Sequence, residues 1–278
     1  MKKLMQVRLP MLALLLVTLS GWSEAQNPTA AARPEAPKKR LLVVFAHPDD
    51  ETIVAPLLAS YARRGVDVHL MVATDGQKGV MPHAGIPAGE ALAKVRAEEA
   101  RCSAHSLGIA PPILVGLEDA GLAAIRPYPG EPLERLATAL RAKLAEWKPH
   151  AVITWGPEGA YGHPDHRLTG DVVRQLFQAG EENTNIPLYF VGFPRERTEG
   201  APRWYGFKMY PVADELLVAQ VAFAAADLQA ARRALSCHKS QATPEMMDES
   251  FSALTHLWNG RIQFQQWNGT KKKSDLFE

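Results

Sequence analysis

Short apolar runs alternate with longer amphipathic segments along the chain from residue 41 onward. Residues 41–46 are continuously apolar, which is typical of a strand buried on both faces of a parallel sheet. The same pattern predicts strands at 41–46, 66–73, 113–115, 151–155 and 188–193, and helices ending near Gly65 and over 90–107, 133–147 and 167–177. Connections of helix length imply parallel pairing with right-handed crossovers. The prediction is therefore an α/β fold, a Rossmann-like three-layer α/β/α domain with a mostly parallel sheet.

The alternation weakens beyond about Gly200. Residues 204–210 and 215–221 fit strands, whereas 224–235 and 244–257 have helical patterns. We interpret this part as a C-terminal extension of the same domain. A single domain would then cover residues 39–278.

The first 25 residues have the form of a secretory signal peptide. Lys2 and Lys3 precede an apolar run at 11–19, and Ser23-Glu24-Ala25 has the small-x-small form of a cleavage site. The run is short for a bilayer span, so a stable membrane anchor is the weaker alternative. Residues 26–38, rich in Ala and Pro, fit a flexible leader. We therefore expect a periplasmic or secreted protein.

Charge and cysteine content narrow the classes of partner. The 31 basic and 30 acidic residues leave a net charge of +1, which gives no field of one sign for binding nucleic acid. The two cysteines, Cys102 and Cys237, would be free to pair in an oxidising compartment. Two small buried thiols are an equally good interpretation, because the sequence does not fix their separation.

Two segments combine histidine, proline and aspartate just beyond predicted strands. Ala46-His47-Pro48-Asp49-Asp50-Glu51 follows the first strand, and Tyr161-Gly162-His163-Pro164-Asp165-His166 follows the fourth. Open parallel sheets bind ligands in the crevice beyond the carboxyl ends of their strands. Proline suits the first position of a helix, whose N–H has no partner within the helix. Each segment is therefore predicted to open a helix at the ligand-binding edge of the sheet.

The spacing within these segments suits a metal ion. A helix that begins at Pro48 would place the His47 imidazole beside the Asp50 carboxylate, and His163 and His166 repeat that spacing. Two histidines and one carboxylate, with a fourth position for water, form a catalytic zinc site. Iron(II) accepts the same ligands. The spacing alone does not decide whether His163 or His166 is the ligand.

Asp49 is the candidate base, because an unligated carboxylate beside a metal can take a proton from water and pass it to a leaving amine. The alternative is that each His-Pro-Asp segment merely caps a helix, where aspartate is favoured by the helix dipole. One copy would favour capping. Two copies after core strands favour a metal site.

These segments resemble those of the PIG-L/LmbE family of zinc-dependent N-acetylglucosaminyl deacetylases. Members have Ala-His-Pro-Asp-Asp-Glu near the start and His-Pro-Asp-His in mid-chain, and both stand intact here. Weaker matches are the segments 74–79, 116–119 and 238–241, together with Arg96 and Glu99. The resemblance runs from about residue 41 into the C-terminal third, so it implies the predicted fold as well as a hydrolytic activity.

The resemblance also implies a role for each matching residue. It makes His47, Asp50 and His166 the zinc ligands and Asp49 the general base. His163 would stabilise the oxyanion or protonate the leaving nitrogen, and Asp165 would orient His163. Tyr161 would be a further contact of the oxyanion. It assigns Arg96, Asp119 and His238 to the substrate pocket. A surface ion pair with Glu99 is the alternative for Arg96, and a histidine at a helix end is the alternative for His238.

The expected substrate is a small molecule or glycan that carries an N-acetyl amino sugar. Two alternatives stay open: a zinc amidase acting on a non-sugar or thiol-conjugate amide, and a sugar-binding protein without catalysis. The presence of Asp49 argues against the second, because binding needs no base beside the metal. The sequence does not indicate the oligomeric state.

Overall fold

A computed structural model describes residues 38–123 and 130–278 of the chain. The predicted signal peptide, and the predicted leader except for its last residue, lie outside the described residues. None of the described helices has both the length and the apolar character that crossing a membrane requires.

The described strands form one sheet. They are β1 (Arg40–Phe45), β2 (Asp67–Thr74), β3 (Ile113–Leu117), β4 (Ala151–Trp155), β5 (Leu188–Gly192), β6 (Leu217–Ala222) and β7 (Arg261–Gln266). Their order is β3-β2-β1-β4-β5-β7-β6. Strands β1 to β5 are parallel, and β7 lies antiparallel between β5 and β6. The order reverses between β1 and β4, so their carboxyl ends leave the crevice at which such sheets bind ligands.

Helices cover both faces of the sheet. They are α1 (Ala55–Arg63), α2 (Glu90–Leu107), α3 (Glu131–Trp147), α4 (Gly159–Gly162), α5 (Pro164–Gln178), α6 (Arg195–Thr198), α7 (Ala225–Leu235) and α8 (Pro244–Trp258). Alternate residues of β1 join two separate apolar clusters, as the pleat requires. Leu41 and Val43 pack with residues of α1, α7 and α8, and Leu42 and Val44 pack with residues of α3 and α5. The mostly parallel three-layer prediction is confirmed.

The C-terminal part differs from the prediction in two places. Residues 204–210 do not form a strand: Trp204 and Phe207 bridge across a tight turn, because Tyr205 and Gly206 both adopt positive φ. Strand β7 was not predicted, although buried Ile262 and Phe264 alternate there with more polar residues, the period-two signal of a strand.

A disulfide ties the middle of α2 to the segment after α7. Cys102 and Cys237 are bonded with their Cα atoms 5.8 Å apart, although 135 positions separate them in sequence. The bond therefore closes a loop that includes most of the domain. In the chain-entropy account such a cross-link stabilises the native state by restricting the unfolded chain.

Replacing both cysteines, Cys102→Ser with Cys237→Ser, should lower the free energy of unfolding by about 2–4 kcal/mol. Urea unfolding followed by circular dichroism measures the change. A reductant should produce the same loss in the wild-type protein and no further loss in the double variant. Equal unfolding midpoints for the wild type with and without reductant would refute the assignment.

Candidate active site

The residues of the two His-Pro-Asp segments meet at the carboxyl ends of β1 and β4. His163 caps the N-terminus of α5, and Pro164 occupies its first turn, as predicted. The prediction that Pro48 opens a helix is wrong. A 3-10 turn begins two residues later at Asp50, because Asp49 turns the chain at φ 133°. His47 and Asp50 nevertheless remain neighbours, since the turn carries the chain back over the end of β1.

The Asp50 carboxylate is fixed by three donors. Its Oδ2 accepts hydrogen bonds from the N–H groups of Ala46 and His47, both at 2.9 Å, and from the Trp155 indole at 3.1 Å. The other oxygen, Oδ1, lies 3.1 Å from His166 Nε2. Burial alone would raise the pKa of Asp50, but His166 and His47 lower it well below its usual range. This carboxylate is therefore held ionised and aimed at the histidines.

Potential ligand atoms of three residues lie close together, with Asp50 Oδ1 facing His166 and Asp50 Oδ2 facing His47. His47 Nδ1 lies 3.2 Å from His166 Nε2 and 3.6 Å from the Asp50 carboxylate. Ligands about 2.1 Å from a zinc ion in a tetrahedron are roughly 3.4 Å apart. The spacing of His47, Asp50 and His166 therefore fits a single small cation. His163 also lies within reach, in a group with His47 and His166.

The tautomers of the two histidines suit metal binding. His166 Nδ1 faces the Gly159 carbonyl oxygen at 3.2 Å, so this nitrogen carries the proton and Nε2 presents its lone pair. His47 Nε2 faces the Asp119 and Asp165 carboxylates, each at 3.4 Å, which leaves Nδ1 as the lone-pair atom. Carboxylate and carbonyl partners orient metal-binding histidines in this way. In the neutral rings the two nitrogens without a proton, His47 Nδ1 and His166 Nε2, lie 3.2 Å apart.

Acidic groups outnumber the cations around His47. Burial would lower the pKa of His47, but Asp119, Asp165 and Asp50 raise it well above its usual range. The Asp119 carboxylate, whose Oδ2 accepts the N–H of Lys78, has its pKa lowered by His47 to about 2, although burial opposes this shift. Buried carboxylates that stay ionised require a compensating positive charge. The donor set is thus one that a divalent cation would neutralise.

Asp49 lies beside these groups and is held by Arg96. One Arg96 nitrogen donates to Asp49 Oδ2 at 2.8 Å and to the Pro48 carbonyl oxygen at 2.7 Å, and another donates to the Gly76 carbonyl oxygen at 3.0 Å. Burial raises the pKa of Asp49 to about 6, although Arg96 opposes the shift. Arg96 is only 3% exposed, so the alternative of a surface pair with Glu99 is wrong. Its main contacts are with the candidate base and two backbone carbonyls.

His163 is a neutral donor at the edge of the cluster. Its Nδ1 accepts the Asp165 backbone N–H at 3.2 Å, so in the neutral ring the proton is on Nε2. Burial, together with His47 and His166, lowers the pKa of His163 to about 4. The prediction that the Asp165 carboxylate orients His163 is not what the structure shows. That carboxylate instead faces His47 and accepts the Ala120 N–H, while the backbone of Asp165 holds His163.

His238 does not reach the cavity and belongs to the layer behind it. It is fully buried, and its Nε2 lies 2.7 Å from Glu51 Oε1, which also accepts the Ser103 hydroxyl. Behind Arg96, Glu99 accepts both the N–H and the hydroxyl of Ser240. The predicted substrate contact of His238 is therefore corrected to a supporting role. Glu51 occurs in the first motif, but its distant partners could not be identified from sequence.

The candidate groups open onto a cavity of about 450 Å³. The candidate catalytic residues form its floor: His47, Asp49, Asp50, Asp119, Tyr161 and His163. Arg96 lies between floor and rim. The rim is formed by Lys78, Gly79, Val80, Met81, Trp204, Tyr205, Phe207, Gln241 and Met246. Sequence reasoning missed the aromatic part of this rim. The cluster Trp204-Tyr205-Gly206-Phe207 was visible, but its aromatic residues suggested a strand.

A family model described as PIG-L, GlcNAc-PI de-N-acetylase, matches residues 42–177, the part that holds both motifs. A deacetylase of 1D-myo-inositol 2-acetamido-2-deoxy-alpha-D-glucopyranoside from Rhodococcus erythropolis is 40% identical over 147 residues, which cover 47% of this chain and 50% of that protein. The chain thus spans about half the length of this relative.

Two further similarities extend over most of the chain. A deacetylase with the same substrate name, numbered 2, from Catenulispora acidiphila is 30% identical over 244 residues, which cover 74% of this chain and 80% of that protein. The fold resembles that of N,N'-diacetylchitobiose deacetylase from Pyrococcus horikoshii, with a TM-score of 0.60 and 20% sequence identity. The superposition covers 82% of this chain and 84% of that protein. Together with the family model, the long match to the Catenulispora protein shows that this chain belongs to the PIG-L family.

Proposed function

We propose that this protein is a metal-dependent amide hydrolase that removes the acetyl group from the nitrogen of an N-acetylglucosaminyl compound. One observation carries the proposal: the ligand atoms of His47, Asp50 and His166 converge beside a separate buried carboxylate, Asp49, at the floor of a cavity. A protein that only binds sugars has no need of that fourth group. The positions of the base and of the metal ligands together suit hydrolysis of an amide.

His47, Asp50 and His166 are the residues that would hold the cation. Two imidazoles and one carboxylate suit zinc and also iron(II). A divalent cation bound there supplies Lewis acidity, polarising the amide carbonyl and lowering the pKa of a water molecule. His163 remains free for another role, because its Nδ1 accepts the Asp165 N–H.

Asp49 moves the proton in this proposal. Its carboxylate takes a proton from the water that attacks the amide carbon, and it delivers the proton to the nitrogen as the C–N bond breaks. A pKa of about 6 suits both transfers near neutral pH. Arg96 holds one carboxylate oxygen, so the orientation of the base is set before the substrate arrives.

In this proposal His163 and Tyr161, which both line the cavity, stabilise the negative charge that develops on the carbonyl oxygen. The neutral His163 ring carries its proton on Nε2, which makes that nitrogen a hydrogen-bond donor. Burial raises the pKa of the Tyr161 phenol, so it also keeps its proton. Donors fixed in advance around an oxyanion contribute strongly to catalysis of acyl transfer.

The substrate class rests on the relatives. The matched Rhodococcus and Catenulispora proteins are named for an N-acetylglucosaminyl inositol, and the similar Pyrococcus structure is named for diacetylchitobiose. We extend the shared part of these names, an N-acetylated glucosamine, to this chain as a proposal.

We also propose that the protein is exported. The N-terminal signal-like segment motivates this proposal, and the Cys102–Cys237 disulfide supports it, because disulfides persist in oxidising compartments. Intact mass of protein recovered outside the cytoplasm tests it. A mass that retains residues 1–25 would contradict cleavage.

Replacing the base, Asp49→Asn, should lower kcat for acetate release by about 10²–10⁴-fold, because the amide cannot accept the proton. Acetate release from N-acetylglucosamine and N,N'-diacetylchitobiose gives the rate, and elemental analysis gives the metal content, which should stay unchanged. Asp171→Asn, on the exposed face of α5, is the matched control and should retain full activity. An unimpaired Asp49→Asn enzyme would exclude this residue as the base.

Removing the metal by a chelator should abolish acetate release, and added Zn²⁺ or Fe²⁺ should restore it. His166→Gln should also lower the metal bound per chain, whereas His105→Gln, on the exposed side of α2, should not. Circular dichroism of both variants verifies that the fold is intact. Full activity in metal-free protein would overturn the proposed mechanism.

A further inference from the structure

A tight hairpin at residues 204–207 forms one side of the cavity rim. The N–H of Trp204 donates to the Phe207 carbonyl oxygen at 3.0 Å, and the Phe207 N–H donates back at 2.8 Å. The two residues between them, Tyr205 and Gly206, have φ values of 46° and 83°. A two-residue turn with both φ values positive is the type I′ hairpin turn, which favours Asn-Gly.

Tyrosine is an unfavourable residue at this position of the turn. A bulky side chain in the left-handed region strains the backbone, and such residues are concentrated at functional sites. Gly206 supplies the second positive φ without strain. The turn would form more readily with a smaller residue in place of Tyr205. The geometry of the turn therefore does not explain why a tyrosine occupies this position.

Two side chains of the hairpin carry donors without partners in the wall of the cavity. The Tyr205 hydroxyl and the Trp204 indole nitrogen are buried and have no hydrogen-bond partner among the described residues. Trp204 is 3% exposed, and both residues line the cavity together with Asp49 and Tyr161. Arg96 Nε, also in the lining, is likewise without a partner there. Folded proteins pair nearly all buried donors, so these groups indicate a ligand with acceptor oxygens.

The phenol keeps its proton in these surroundings. Burial raises the pKa of Tyr205 well above its usual value, and the charges of Asp49 and Glu51 add to the rise. The hydroxyl is therefore available as a donor close to the candidate base.

An aromatic face completes the hairpin. Phe207 stacks on Tyr161 with ring centroids 4.2 Å apart and an interplanar angle of 11°. It is nevertheless 47% exposed, one of the few large apolar side chains that face solvent in the described structure. A sugar ring offers the complementary chemistry, since its hydroxyl and ether oxygens accept hydrogen bonds and its C–H faces are apolar.

We propose that the 204–207 hairpin is the subsite for the sugar ring of the substrate, with Tyr205 and Trp204 donating to ring oxygens and Phe207 covering a C–H face. This inference rests on the proposed function for its ligand class. It makes Tyr205 a specificity-determining residue and leaves proton transfer to Asp49.

The test compares Tyr205→Phe with Tyr210→Phe, which removes the same hydroxyl from an exposed tyrosine nearby. Loss of one neutral hydrogen bond should raise the KM for N-acetylglucosamine about three- to tenfold with little change in kcat. Calorimetric binding to the Asp49→Asn protein should show the same weakening for N-acetylglucosamine and for glucosamine, which lacks the acetyl group. Tyr210→Phe should change neither value.

Each remaining outcome is decisive. Weakening for N-acetylglucosamine alone would place the hydroxyl on the acetyl amide and overturn the ring subsite. A Tyr205→Phe enzyme equal to wild type would overturn the inference while the proposed function stands. If the wild type hydrolyses no N-acetyl sugar, the proposed function fails, and the binding measurement then decides the subsite separately. Sugars that bind the wild type and lose affinity in Tyr205→Phe would support the subsite. Absence of sugar binding would refute the subsite.

Discussion

The Asp50 carboxylate connects the ends of the two central strands. Its Oδ2 is held by two backbone N–H groups at the end of β1 and by the Trp155 indole at the end of β4. Its Oδ1 faces His166 on α5, the second helix after β4. Parallel strands leave a crevice at the point where the strand order reverses, and this one side chain closes the floor of that crevice and turns an oxygen toward the histidines. The positions of His47 and His166 depend on it.

The groups behind the floor show how such a concentration of charge is stabilised. Arg96 offsets Asp49, and the buried His238 imidazole faces Glu51. The close approach of Arg96 also requires glycine at two loop positions. A Cβ at Gly76 or Gly79 would lie 2.5 Å from an Arg96 nitrogen, so a side chain at either position would displace the guanidinium from Asp49. The loop after β2 thus contributes to the site because its two glycines leave room for the Arg96 side chain.

The parts that the sequence predicted are those set by local spacing. Alternation of apolar and polar positions predicted the sheet core and its helices, and the positions next to strand ends predicted that His47 and Asp50 would meet the histidines of the second segment. The family resemblance, and not the spacing, selected His166 over His163. The parts that were missed depend on contacts between distant residues. His238 was assigned to the substrate because nothing near it in sequence reveals Glu51 as its partner. The contact of Arg96 with Asp49 was not predicted for the same reason, although Arg96 does line the cavity. Tyr205 was missed because its aromatic neighbours suggested a strand, whereas a following glycine and a positive φ produce a turn.

The disulfide has a consequence for biosynthesis. Cys102 and Cys237 are the only cysteines in the chain, so oxidation within one molecule has a single product and no scrambled isomer. Cys102 must nevertheless wait, as a thiol, while 135 further positions are synthesised. During that interval its only wrong partners are thiols of other molecules. Correct maturation is therefore a competition between folding of one chain and dimerisation of two, and it should depend on protein concentration rather than on an isomerase.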